Sequence, residues 1–266
     1  MDFRSVKNIL LVLLLAFSAA CTLKEEAGLV LPRHPGKLFV EGYLSPGAPI
    51  QLTFIRSSTF QQNLSLQLIW NAQAELMLPD TTLPLQNLFY KDKESGKILN
   101  YVNPYRLPAG LALDSLRLRL ITDDKADTLY GTTALVEPVK ISSWQARDQQ
   151  IRVSCAQATT PENRYYGLYS EYQVAGNIIR KSQYYDYSHH SDPQISFLLD
   201  VPAGERSYRI ILYRITPQNY HFQRALSQAA RSNIDPFEAP VALPTNIRGG
   251  QGFFTYSTTD TLLLQF

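Results

Sequence analysis

The chain has 266 residues, of which 45% are apolar, and its formal net charge at pH 7 is +2. This apolar content is enough for a packed core, and the length fits one large β domain or two smaller ones. Lysine and arginine are scattered and form no basic run, so the composition does not favour a protein that binds nucleic acid or steers acidic partners. We therefore expect no nucleic-acid partner.

The beginning of the chain, residues 1–20, predicts a lipoprotein signal peptide. A positive start with Arg4 and Lys7 precedes the apolar run 9–17, which is too short to span a bilayer as a stable anchor. Small residues then directly precede Cys21, an order typical of a bacterial lipobox, in which the thiol receives a diacylglycerol and becomes the mature N-terminus. The alternative is a plain secretory signal followed by a chance cysteine.

Residues 21–36 carry two prolines and two glycines, and this composition predicts a flexible tether. No later apolar stretch reaches membrane-spanning length, so the lipid on Cys21 is the predicted anchor.

A period-two pattern predicts a β domain over residues 37–138. Strands at 38–43 and 50–55 flank Ser45-Pro46-Gly47, a turn that predicts a hairpin. Further strands are predicted at 66–70, 72–78, 98–102, 116–121 and 128–133. Pro138 marks the predicted domain boundary, because the strand pattern restarts at Ile151.

Residues 139–266 predict a second, antiparallel β domain that carries one amphipathic helix. A hairpin is predicted for strands 164–173 and 177–187, and further strands at 195–199 and 207–215. The last residues predict another hairpin, with strands 253–258 and 261–266 turning at Thr259-Asp260.

The predicted helix begins with Thr216 as N-cap and Pro217 in the first turn. Its apolar residues recur with helical spacing, which predicts packing as a crossover on the second sheet. These residues are Phe222, Ala225, Leu226, Ala229 and Ala230.

A glycine-rich run, Asn246-Ile247-Arg248-Gly249-Gly250-Gln251-Gly252, precedes the aromatic residues 253–256. A phosphate-binding loop requires a helix after the glycines, whereas an aromatic strand follows here. We therefore predict a structural turn at Asn246, Gly249, Gly250 and Gly252, with positive φ at Gly249, Gly250 or both. The turn is expected to seat the strand in the core of the second domain.

Seven tyrosines lie on the two arms of the predicted 164–187 hairpin: Tyr165, Tyr166, Tyr169, Tyr172, Tyr184, Tyr185 and Tyr187. Cross-strand pairing within the fold is one interpretation. The other is an exposed binding surface, because neighbours such as Tyr165 and Tyr166 cannot face the same side of a sheet.

No pattern in the sequence predicts catalysis, a metal site or a cofactor. Cys155 is the one thiol left when Cys21 is acylated, and we expect an inert, partly buried cysteine rather than a nucleophile. His189 and His190 lie with Asp186 and Asp192 in a polar stretch, which favours a solvated loop over a zinc site. We therefore predict that the protein is not an enzyme.

Three segments together carry a resemblance to a known family. They are Phe39–Leu44, Asn163–Tyr166, and the stretch from Pro236 to Phe254 that contains the Asn-Ile-x-Gly-Gly-x-Gly-x-Phe run. With the lipobox, they resemble the domain-of-unknown-function family 4249 of Bacteroidetes outer-membrane lipoproteins. The resemblance implies an N-terminal immunoglobulin-like or prealbumin-like β-sandwich and a C-terminal β domain. The resemblance also implies that the protein occurs together with TonB-dependent outer-membrane receptors. It implies no established activity.

Two further patterns resemble signals on exported proteins of the same bacteria. Lys24-Glu25-Glu26 resembles the tag that directs lipoproteins to the cell surface, although an ordinary charged tether is the alternative. An aspartate followed by a hydroxyl residue resembles an O-glycan acceptor pattern, which makes candidates of Thr81, Ser115, Thr128 and Thr261. Each copy also suits a turn that leads into a strand.

The expected function is therefore that of an outer-membrane lipoprotein, anchored by lipid and exposed at the cell surface. It is expected to act as an accessory or binding partner of a TonB-dependent transporter. The alternatives are a structural or assembly lipoprotein of the envelope without a soluble ligand, and a hydrolase with an unfamiliar motif.

Overall fold

The computed structural model describes residues 36–58, 66–93, 96–147, 149–174, 176–201, 207–235 and 237–265. The predicted signal peptide, Cys21, the tether up to residue 35, and Lys24, Glu25 and Glu26 lie outside the described residues.

Within these ranges the protein is mainly β with one α-helix, which confirms the predicted fold class. The strands that follow the tether are β1 Leu38–Leu44, β2 Pro49–Ser57, β3 Leu66–Leu68, β4 Gln73–Met77, β5 Thr82–Lys91, β6 Ile98–Arg106, β7 Ser115–Ile121 and β8 Thr128–Ala134. The second half contains β9 Ile141–Arg147, β10 Gln150–Ala156, β11 Tyr165–Val174, β12 Asn177–Asp186, β13 Gln194–Asp200, β14 Ser207–Ile215, α1 Pro217–Ser232, β15 Ile247–Arg248 and β16 Gln251–Gln265.

Most of the described strands belong to one long sheet. Its order is β12-β11-β14-β16-β1-β2-β6-β5-β4-β7-β8-β15, with β3 paired to β2, while β13-β10-β9 form a separate sheet. The pair β1–β16 is parallel, with Val40 opposite Gly252, whereas the other described pairs are antiparallel. The last strand is therefore inserted beside the first one.

Two hydrophobic cores fill this sandwich-like fold. The first contains the inward residues of β1, β2, β4, β7 and β8, and the second lies between the three-stranded sheet and β11, β14 and the end of β16. Phe254 and Tyr256 belong to the first core, whereas Leu264 belongs to the second. The prediction that the glycine run seats its strand in the second core is therefore wrong for the start of β16.

The predicted hairpin at the C-terminal end is also wrong, because residues 251–265 form a single strand. Asp260 lies within it, opposite Leu212 of β14. The Asp260 carboxylate accepts the backbone N–H groups of Ile141, at 2.8 Å, and Thr261, at 3.0 Å. The bond from Ile141, which is far away in the chain, and the pairing with β14 hold a turn-type residue in extended conformation.

Helix α1 starts as predicted, with the Thr216 side chain accepting the Asn219 N–H at 3.1 Å. It lies against β11 and β12, and the Phe222 ring stacks on Phe253 of β16 with centroids 4.4 Å apart. The predicted apolar stripe is only partly correct, because Leu226 is 42% exposed. The buried residues of the helix are Asn219, Tyr220 and Phe222.

Candidate functional site: a tyrosine-lined cleft beside helix α1

A cleft of about 540 Å³ lies between helix α1 and the large sheet. Its floor is formed by residues that alternate with the core residues along the strands. On β1, for example, Val40 and Leu44 are buried while Glu41 and Tyr43 are half-buried and line the cleft. The cleft therefore lies on the face of the sheet opposite the two cores.

Four tyrosines from four strands line this cleft: Tyr43, Tyr169, Tyr184 and Tyr213. Gly167 is paired with Tyr184 on one side and with Tyr213 on the other. A β-carbon at Gly167 would lie 3.2 Å from the nearest carbon of the Tyr184 ring. The glycine thus gives the ring room to lie over the sheet.

A chain of side-chain hydrogen bonds joins β12 to the helix along one wall. The Tyr184 hydroxyl donates to Gln223 Oε1 at 3.2 Å, and Gln223 Nε2 donates to Asn219 Oδ1 at 3.2 Å. Asn219 is 4% exposed and sits in the first turn of the capped helix. A tyrosine hydroxyl is protonated at neutral pH and can donate, and burial raises the pKa of Tyr184 further.

An ion pair marks the opposite side of the cleft. Lys97 Nζ lies 2.5 Å from Glu41 Oε1 and 3.9 Å from the centroid of the Tyr43 ring. Burial raises the pKa of Tyr43, and the negative charge of Glu41 raises it further. With Asp92, which also lines the cleft, the described charged residues give a formal charge of −1: two carboxylates and one ammonium group.

A smaller groove of about 260 Å³ adjoins the cleft and is mostly apolar. Both cavities are lined by Glu41, Tyr43, Thr53 and Leu226. The exposure of Leu226 follows from this position, because its side chain faces the two cavities instead of the sheet.

The glycine run forms a tight structural turn. Asn246 ties it to two strands: Nδ2 donates to Thr132 O at 3.0 Å and to Phe254 O at 2.6 Å, and Oδ1 accepts the Phe254 N–H at 2.9 Å. The segment then pairs with β8, with Ile247 opposite Gly131. Its geometry is that of a turn that enters a strand.

The three glycines of this turn have different requirements. Gly249 has a φ of 85°, as predicted, whereas Gly250 is not in the positive-φ region and Gly252 has a φ of 110°. At Gly250 a β-carbon would lie 2.5 Å from Leu129 Cδ2. At Gly252 it would lie 1.9 Å from the carbonyl oxygen of Val40. A larger residue at position 250 would have to displace the Leu129 side chain and would lie 3.0 Å from the Leu38 carbonyl oxygen, whereas glycine at 252 is required for both space and conformation.

The hairpin tyrosines divide between the two faces of the sheet. Tyr166 and Tyr172 are buried in the second core, and Tyr185 and Tyr187 pack against Phe197 with centroids 5.0 and 5.8 Å away. The remaining three, Tyr165, Tyr169 and Tyr184, face the helix or the cleft. Packing within the fold thus accounts for Tyr166, Tyr172, Tyr185 and Tyr187, whereas a binding role for the face with Tyr165, Tyr169 and Tyr184 stays a prediction.

The cysteine and histidine candidates lie away from the cleft. Cys155 is fully buried in the second core, deeper than expected, and burial raises its pKa to about 11. His189 and His190 are exposed, and the Asp186 carboxylate accepts the N–H and hydroxyl of Ser188. Among the described residues, no group of three His, Cys, Asp or Glu side chains is arranged to hold a metal ion.

The four O-glycan candidates are not brought together. Thr81 is exposed in the turn between β4 and β5, and Ser115 and Thr128 begin β7 and β8 at opposite ends of that hairpin. Thr261 is exposed within β16, and its place in the middle of a strand corrects the expected turn. The occupancy of these positions stays a prediction.

Sequence reasoning missed the polar residues of the cleft, among them Glu41, Lys97, Asn219 and Gln223. The available signal was the alternation on β1, where Glu41 and Tyr43 occupy one face. That pattern predicts that one face of β1 is exposed to solvent, but it does not show which other strands and which helix line a cleft on that face.

A family model described as "Domain of unknown function (DUF4249)" matches residues 24–262. Two solved structures are similar over much of the chain. The chicken interferon gamma receptor alpha chain has 12% identity and a TM-score of 0.23, covering 69% of this chain and 89% of that one. The chicken CNTN1 FN1–FN3 domains have 8% identity and a TM-score of 0.21, covering 88% of this chain and 66% of that one. A search of curated proteins finds no match.

In the part of the chain that the structure describes, no helix has both the length and the apolar character needed to cross a membrane.

Proposed function

Because the chain belongs to the DUF4249 family, whose description assigns no activity, we propose that it is a binding protein anchored to the outer membrane. In this proposal Cys21 carries the lipid, the protein faces the cell surface, and it serves as an accessory of a TonB-dependent transporter. The cleft beside helix α1 is the observation that carries the binding role. It combines aromatic rings, amides and an ion pair on a preformed surface, as small-molecule sites commonly do.

Binding fits the cleft better than catalysis does. Its described lining contains no histidine or cysteine, and the Glu41 carboxylate contacts the Lys97 ammonium group and the Tyr43 hydroxyl. The hydrogen-bonded and ion-paired groups of the cleft could orient a ligand, and this supports the proposed binding role.

The anchor is tested by Cys21→Ala. We expect this variant to leave the membrane fraction, because the rest of the sequence has no second apolar anchor. The control is Cys155→Ala, which removes the other cysteine and should stay with the membranes. If Cys21→Ala remains bound after a high-salt wash, the lipid is not the anchor.

The surface location is tested by replacing Lys24, Glu25 and Glu26 together with alanine. We expect lipidation to persist while digestion by external protease on whole cells decreases. A matched variant that keeps the charges, with Arg at 24 and Asp at 25 and 26, should behave like the wild type. If the wild type and both variants are digested equally, Lys24-Glu25-Glu26 is an ordinary spacer and not an export signal.

The transporter partnership is tested by purification from outer membranes under mild conditions. A TonB-dependent receptor recovered in equal amounts with the tagged protein supports the accessory role. Recovery without any receptor, from membranes that contain one, favours a structural lipoprotein of the envelope.

A further inference from the structure

We propose that the cleft beside helix α1 binds a short, uncharged saccharide. This inference rests on the proposed binding function and names the class of ligand that the cleft would bind. The volume of about 540 Å³ lies in the range of small-molecule sites. The class of ligand is inferred from the aromatic, polar and charged side chains that line the cleft.

The aromatic side chains supply surfaces for the apolar faces of sugar rings. Tyr184 and Tyr213 flank Gly167, which has no side chain between them. An aromatic face is negative and attracts the weakly positive C–H groups of a pyranose ring. Because Gly167 has no β-carbon, the Tyr184 ring lies over it, with a ring carbon 3.2 Å from where that β-carbon would be. The surface offered to a sugar ring is therefore the tyrosine ring itself.

The polar side chains match the hydroxyl groups of such a ligand. A hydroxyl both donates and accepts hydrogen bonds, and an amide side chain offers both functions at once. Gln51 lies on the sheet side of the cleft, and Gln223 and Asn219 lie on the helix side. The bonds from Tyr184 to Gln223 and from Gln223 to Asn219 hold the helix-side amides in place before a ligand arrives.

The charges of the cleft disfavour an anion. Lys97 is the cation in the described lining, and it already contacts the Glu41 carboxylate and the Tyr43 ring. With Asp92 added, the cleft has a formal charge of −1, so an acidic ligand would meet repulsion.

The backbone of the floor disfavours a peptide bound by strand addition. The central strands of the floor, β1, β11 and β14, are paired on both sides. Their N–H and C=O groups are therefore used within the sheet, whereas strand addition requires a free edge. Among the described strands that line the cleft, β12 alone has a free edge, because it is the first strand of the sheet. Over β1, β11 and β14, recognition therefore comes from side chains.

The test is a binding assay on the full-length protein purified from membranes in lauryldimethylamine oxide, a detergent without a sugar head. The panel consists of maltose, cellobiose, lactose, mannobiose and diacetylchitobiose at up to about 10 mM, measured by calorimetry. We expect at least one of them to bind with a Kd of about 1 mM or lower. Its acidic counterpart, with a primary alcohol oxidised to a carboxylate, should bind about tenfold more weakly.

Two variants test whether the saccharide binds in the cleft. Tyr184→Ala removes a ring and Gln223→Ala removes an amide, and each should weaken binding by about tenfold. Tyr105→Ala removes an exposed tyrosine outside the cleft and should bind like the wild type. Gln51→Ala, on the opposite wall, replaces any variant whose circular dichroism spectrum shows loss of fold.

Three outcomes would overturn the proposal: no panel member binds, the acidic counterpart binds more tightly, or the cleft variants bind as well as Tyr105→Ala. These outcomes are separate from failure of the proposed function. A receptor that co-purifies with a protein that binds no saccharide overturns the ligand class alone. Saccharide binding without any receptor overturns the transporter partnership alone.

Discussion

Gly252 occupies the most constrained glycine position in the contact between the first and last strands. It has a φ of 110° and lies opposite Val40 in the parallel pair of β1 and β16. A β-carbon there would lie 1.9 Å from the Val40 carbonyl oxygen, and below 3.0 Å the backbone must move. Gly252→Ala should therefore force the two strands apart locally.

The expected cost has two parts. The positive φ costs an alanine about 1–3 kcal/mol. Separation of the strands weakens two or three ladder hydrogen bonds, each worth about 1 kcal/mol. We expect Gly252→Ala to lower the free energy of unfolding by about 3–6 kcal/mol, a large share of the roughly 5–15 kcal/mol typical of a folded domain.

The assay is urea denaturation followed by circular dichroism, with Gly47→Ala as the matched control. Gly47 also has a positive φ, of 71°, but a β-carbon there meets nothing within 4 Å. It should cost only about 1–2 kcal/mol for the left-handed conformation. If the two variants unfold at the same urea concentration, contact with Val40 is not what requires glycine at position 252.

Three further changes test the cores and the helix. Arg214 is buried and donates to Pro138 O at 2.8 Å and to Ala156 O at 3.2 Å. In urea denaturation, Arg214→Met should therefore lower the free energy of unfolding by about 2–4 kcal/mol, and a decrease below about 0.5 kcal/mol would show that these hydrogen bonds do not stabilise the fold. Burial raises the pKa of Cys155 from 9.0 to about 11, and the thiolate therefore forms first in the unfolded chain. As the pH rises from 9 to 11, the wild type should therefore lose stability relative to Cys155→Ala. A stability difference between the two proteins that does not change with pH would refute this prediction. Thr216→Ala removes the cap of helix α1 and should cost about 1 kcal/mol, and a variant as stable as the wild type would show that the cap is not needed.

The features that the sequence predicted well depend on neighbours along the chain. The hairpins β1–β2 and β11–β12 are present, because alternating strands flank a short turn with a glycine. Helix α1 begins at Pro217 after its cap, for the same local reason. The strands β5 and β9 were not predicted, and β9 is exposed along most of its length, so it shows no clear alternation.

The cleft could not be predicted from the sequence for a physical reason. Tyr43 on β1, Tyr184 on β12 and Gln223 on α1 meet because β16 is inserted between β14 and β1. No local pattern encodes that insertion, since a strand pairs with whichever edge the rest of the fold offers. The tyrosine hairpin was singled out, but its cleft face became visible only with its partners in place.

The sequence by itself determined the strand-rich class, the two local hairpins, the start of the helix and the need for glycine near position 249. These features follow from side-chain alternation, capping and backbone sterics, which act over a few residues. Only the tertiary structure decided that β16 runs through both cores and that Gly252 faces Val40. It also decided that the wet faces of separate strands line one cleft, because such contacts join residues that are far apart in the chain and are selected by the packing of the whole sheet.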